Sequence, residues 1–92
     1  MKTFRVSEQS QIIRNEIDIT DASGRLFRVD RLITDRDTIT AIDFKTGDDR
    51  QRESEHISQV KNYQTILKDI YPDKTIYGIL AYIDKKKVQV VE

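Results

Sequence analysis

The chain has 92 residues, 37% apolar and 35% charged, and its 16 basic and 16 acidic side chains give a formal net charge of zero. That length allows one small domain with a single modest core, and the balanced charge excludes a strongly basic, free-standing nucleic-acid binder, so any DNA contact must come from a local patch or a neighbouring domain. The absence of cysteine excludes disulfides, thiolate zinc sites and iron–sulfur clusters.

No run approaches the ~18 apolar residues of a membrane span. The start, Met1-Lys2-Thr3-Phe4-Arg5, lacks the apolar core of a signal peptide. A soluble cytoplasmic protein with no membrane contact is the expectation. The apolar residues fall into periodic segments, which argues for a fold rather than disorder.

Lys2 to Ser7 alternates loosely and reads as a short edge strand. Gln11 to Thr20 alternates better, with Ile13, Ile17 and Ile19 on one side. Asp21-Ala22-Ser23-Gly24 is a turn cluster. Two strand-like runs follow, up to Leu32 and from Ala41, joined by the polar turn Thr34–Thr38; they read as a β-hairpin over Arg25–Thr46. Gly47–Arg52 is a polar connection without periodicity. From about Ser54 to Tyr71 the period changes to 3.6, with Ile57, Val60, Tyr63 or Gln64, Leu67 and Ile70 on one face and Ser54 as N-cap. Pro72-Asp73 ends that helix. Thr75–Ile83 is nearly continuous in apolar residues and reads as a strand buried on both faces. Asp84–Lys87 forms a turn, and Val88–Val91 a last strand. A strand, a helix and a strand in succession make a crossover unit. The expected fold is therefore α/β: one domain, a mixed sheet of about five or six strands, and one main helix on one face.

Within the hairpin, Asp43 and Lys45 share one strand face while Ile42 and Phe44 share the other. A two-residue turn at Arg36-Asp37 would set Asp30 opposite Asp43. Facing carboxylates repel unless neutralised. A divalent cation is a natural neutraliser, because carboxylates and carbonyls are the hard oxygen ligands Mg²⁺ prefers. Lys45 would then orient a metal-bound water.

Taken in order, Asp30 in Arg28-Val29-Asp30-Arg31, then Ile42-Asp43-Phe44-Lys45-Thr46-Gly47, then Gln59-x-x-x-Tyr63 resemble the nuclease domain of the PD-(D/E)XK superfamily. The closer likeness is to the RecB-like nuclease at the C-terminus of UvrD/RecB-type helicase–nucleases, and it spans most of the chain after Gly24. The resemblance implies a restriction-endonuclease-like core and Mg²⁺-dependent, exonuclease-type hydrolysis of DNA, with Mn²⁺ able to substitute. Asp30 and Asp43 would hold the metal, with the Phe44 carbonyl as a further ligand. Lys45 would position water and stabilise charge on the phosphate. Gln59 and Tyr63, one helical turn apart, would touch the DNA backbone or brace the site. Arg50 and Arg52, just beyond the site, are placed to meet phosphates.

Such domains usually carry an earlier helix whose acidic residue or histidine completes the metal site. Here strand-like residues precede Gly24, and Glu8, Glu16 and Asp18 are the acidic candidates. The chain is thus expected to be a C-terminal fragment, truncated on its N-terminal side, of a larger protein whose helicase portion delivers the DNA.

Blander readings stand beside these. Asp30 or Asp43 alone reads as a surface carboxylate paired with Arg28, Arg31 or Lys45, and Tyr63 as a core aromatic. His56 reads as an exposed polar residue, and Lys85-Lys86-Lys87 as a solvated turn. Two rival functions are a catalytically inactive DNA-binding or scaffolding domain of the same fold, and a protein-interaction domain in which the motif is coincidence. The last predicts that Asp30 and Asp43 lie far apart.

Overall fold

The computed structural model describes residues 11–46, 52–84 and 86–91. The edge strand expected over Lys2–Ser7, Glu8, and the connection from Gly47 to Gln51 with Arg50 lie outside the described residues. Among the described residues, five strands and one helix follow in the order β1 (Ile12–Thr20), β2 (Leu26–Thr34), β3 (Thr38–Lys45), α1 (Glu53–Ile70), β4 (Thr75–Tyr82) and β5 (Lys87–Val91). The sheet order is β1-β2-β3-β4-β5. β3 and β4 run parallel and every other neighbouring pair antiparallel. This is a small α/β domain with a mixed sheet.

Turn chemistry sets the early register. Asp21 Oδ1 accepts the backbone N–H groups of Ser23 and Arg25, both at 2.9 Å. Those bonds, the one from Arg25 foremost, hold the Asp21 carboxyl down at about 2. Gly24 carries a φ of +90°, a conformation few other residues adopt. At the next turn Lys74 Nζ donates to the carbonyls of Asp35 (2.6 Å) and Arg36 (3.2 Å), tying the β2–β3 hairpin to the start of β4.

One face of α1 covers the sheet. Val60, Tyr63, Ile66 and Leu67 are buried against Ile19, Val29, Leu32, Ile39 and Ala41 on one side and Leu80, Tyr82 and Val91 on the other. The helix reaches β4 closely because residue 78 is glycine: a Cβ there would stand 2.5 Å from Val60 Cγ1 and 2.8 Å from Gln64 Cδ.

Several expectations are corrected. β1 does not keep Ile13 with Ile17 and Ile19: Ile13 is exposed, because Glu16 takes a left-handed φ of 52° and the alternation changes phase there. The N-cap of α1 is Arg52, without a side-chain cap bond, and Ser54 lies inside the first turn. Ile70 is exposed, and His56 is buried beside Tyr82 rather than solvated. β4 is buried on one face only: Gly78, Leu80 and Tyr82 point to the helix, while Tyr77 is exposed. Its solvent-facing side, with the exposed Val88 and Val90 of β5, belongs to a sheet face that no described element covers.

Candidate active site

β2 and β3 pair from Thr34↔Ile39 to Arg31↔Ile42, the register imposed by a two-residue turn at Arg36-Asp37. Pairing stops there, one rung short of Asp30 and Asp43. On the other side of β2, the pairs Asn15↔Arg31 and Ile17↔Val29 flank a rung at which Glu16 and Asp30 are not paired. Asp30 thus sits at a break in the ladder on both sides. The inward stripe changes phase around it, so Val29 and Leu32 are both buried although three residues apart. A left-handed non-glycine residue at such a break is strained, and strain of this kind concentrates at functional sites.

The break frees the Asp30 carboxylate to replace a ladder bond. Its Oδ2 accepts the backbone N–H of Phe44 at 2.8 Å. The N–H and C=O of a strand residue turn to the same side, so the Phe44 carbonyl also faces the gap that Asp30 opens.

Asp43 lies under the helix and is only 3% exposed. Its carboxyl is held above the ordinary 3.8, first by burial and further by the Asp30 carboxyl within hydrogen-bonding reach; Lys45 pulls the other way. Lys45 Nζ stands 3.0 Å from Asp43 Oδ2. That contact is an ion pair by distance but lacks hydrogen-bond alignment, and Oδ2 is left buried without a hydrogen-bond partner. The same ammonium donates to Gln59 Oε1 at 3.3 Å.

Tyr63 braces this arrangement from the helix. It is 1% exposed, and its hydroxyl donates to the Arg28 carbonyl at 3.0 Å, two residues before Asp30. Burial first, then the charges of Asp43 and Asp30, push the phenol up to about 12, with Gln59 opposing. At that value it stays protonated and a donor. Its ring meets Phe27 edge-on, with centroids 6.5 Å apart.

The sequence-derived set Asp30, Asp43, Phe44, Lys45, Gln59 and Tyr63 is therefore one cluster, built from β2, β3 and α1. The two carboxyls are together, not far apart as the coincidence reading requires. Arg52 pairs with Glu55: its Nε is 3.1 Å from Glu55 Oε1, and both side chains are exposed. Sequence reasoning missed the break at Glu16, which strict alternation conceals. It also missed the His56–Tyr82 contact at 3.5 Å, for which the sequence offers no signal beyond helical position.

A hard cation suits this donor set. Two carboxyls lie together, one with a buried oxygen that lacks a hydrogen bond, and strand geometry turns the Phe44 carbonyl to the Asp30 side. Among the described residues no third histidine or acidic side chain joins them. Proteins in general bind Mg²⁺ through one or two carboxylates, with water and substrate phosphate at its other positions. No protein-family model matches the chain, and no curated protein is significantly similar to it in sequence.

Proposed function

We propose that this domain hydrolyses DNA phosphodiester bonds with Mg²⁺, as a nuclease of the PD-(D/E)XK type with a restriction-endonuclease-like core, working beside a helicase portion. The observation that carries the reading is the cluster around the ladder break: two carboxyls in contact, one of them buried and short of a hydrogen bond, with a lysine at 3.0 Å. Asp30, Asp43 and the Phe44 carbonyl would hold the metal. Bound Mg²⁺ supplies a hydroxide-like nucleophile and neutralises charge that grows on the phosphoryl oxygens. Lys45, fixed between Asp43 and Gln59, offers a positive charge to the phosphate in the transition state. Gln59 restrains the lysine, and Tyr63 holds the Arg28–Asp30 segment against the helix.

The test is cleavage of an end-labelled linear DNA by the purified domain with Mg²⁺ or Mn²⁺. Cleavage that falls by about 100-fold in Lys45→Met, and is lost in Asp43→Asn, supports the proposal. Cleavage unchanged in both variants contradicts it. DNA binding without cleavage assigns the domain instead to the binding or scaffolding role.

A further inference from the structure

On the side of the sheet away from α1, a cavity of about 420 Å³ opens between Asn15, Glu16, Asp30, Arg31 and Phe44. Alternation explains the lining: Asp43 points under the helix, so Phe44 points away from it. Arg31 faces Ile42, and Asn15 faces Arg31, across the strands, so these side chains share that outer face. Asp30, at the break, lines the cavity and also meets the acid pair.

The cavity has a flat wall and a polar rim. The Arg31 guanidinium lies over the Phe44 ring, 5.5 Å from its centroid. Arg31 Nε donates to Asn15 Oδ1 at 2.9 Å, which fixes the guanidinium plane and leaves the Asn15 NH₂ group as a donor. Beside it the exposed Glu16 carboxylate is an acceptor, held at its strained backbone position. Two carboxylates against one guanidinium make the cavity repel phosphate.

We infer that this cavity binds one unpaired nucleobase, stacked on the Arg31–Phe44 platform with its pairing edge read by Asn15 and Glu16. Nucleobases stack on aromatic rings and on guanidinium planes. A donor beside an acceptor matches the pairing edge of a base, and that edge is available only when the base is unpaired. The volume falls within the range of small-molecule sites. Because Asp30 belongs to both places, the base lies next to the acid pair.

The experiment is an NMR titration of the metal-free protein with deoxycytidine, a probe that carries no phosphate. Deoxyribose serves as the control. Amide shifts confined to Asn15, Glu16, Arg31 and Phe44, with a dissociation constant raised about fivefold or more in Glu16→Gln and in Arg31→Ala, are the expected result. A single-stranded oligonucleotide in EDTA should bind about tenfold tighter than the same sequence as a duplex. Shifts elsewhere, equal shifts with deoxyribose, or affinity unchanged in the exposed-site variant Glu16→Gln would overturn the inference. Base binding here by a protein that cleaves nothing would leave this inference standing and remove the nuclease reading. Cleavage without base binding would do the reverse.

Discussion

The Phe44 amide donates to the Asp30 carboxylate at 2.8 Å, where the ladder between β2 and β3 has just ended. A side chain thus replaces a strand bond and keeps a carboxylate pinned at the point where the sheet opens. Asp30→Ala leaves the Phe44 N–H without this acceptor and is expected to destabilise the domain by about 1–2 kcal/mol. Asp30→Asn, which keeps an oxygen acceptor, should lose much less. Urea denaturation and exchange protection of the Phe44 amide check both; equal losses in the two variants would deny the bond its role.

Asp43 makes the opposite prediction for stability. Burial, reinforced by Asp30, raises its pKa above 3.8. The folded protein then keeps a proton that the unfolded chain has already released. The stability linked to this group is complete below about pH 3.8 and is lost as pH rises through the raised native value. Asp43→Asn should therefore be more stable than the parent at pH 8, by about 1 kcal/mol, the scale commonly gained by relieving a functional site. The gain should shrink as pH falls toward 4. Denaturation at the two pH values measures it, and a less stable variant at pH 8 contradicts it.

Much of this site is legible from residue order because strand and helix periods fix which side chains share a face. The turn at Arg36-Asp37 gives the β2–β3 register directly, and Asp43 with Lys45 follows from a period of 2. Gln59 and Tyr63 follow from a helical turn. What alternation hides is its own interruption: Glu16 adopts a left-handed backbone with no glycine to announce it, so Ile13 looks like a core residue and is not. The one-sided burial of β4 is hidden for a related reason. An apolar run cannot tell a face covered by a helix from one left open, and a place at the start of the helix reads as solvent-exposed for His56, which is buried.

Tyr63 is expected to act through position. Tyr63→Phe keeps the buried ring but removes the hydroxyl that meets the Arg28 carbonyl at 3.0 Å. The loss should be about 1–2 kcal/mol, accompanied by faster exchange of the Phe44 amide as the Asp30 segment loosens. Loss of stability with Phe44 protection unchanged would confine Tyr63 to packing.

Gly78 is the close approach between α1 and β4. Gly78→Ala places a methyl group 2.5 Å from Val60 Cγ1, which is itself fully buried. The helix has to move, and a destabilisation of about 1–3 kcal/mol is expected. Thermal denaturation checks it; a gain in stability would mean that the helix does not press on this strand.

Whether Asp30, Asp43 and the Phe44 carbonyl together hold a divalent cation decides the proposed function. Its most direct test is paramagnetic line broadening by Mn²⁺ in the parent protein, in Asp30→Asn and in Asp43→Asn. Selective broadening at residues 30 and 43–45, abolished in both variants, is the predicted result. A folded parent with no selective broadening there, or broadening that survives both substitutions, would contradict the account.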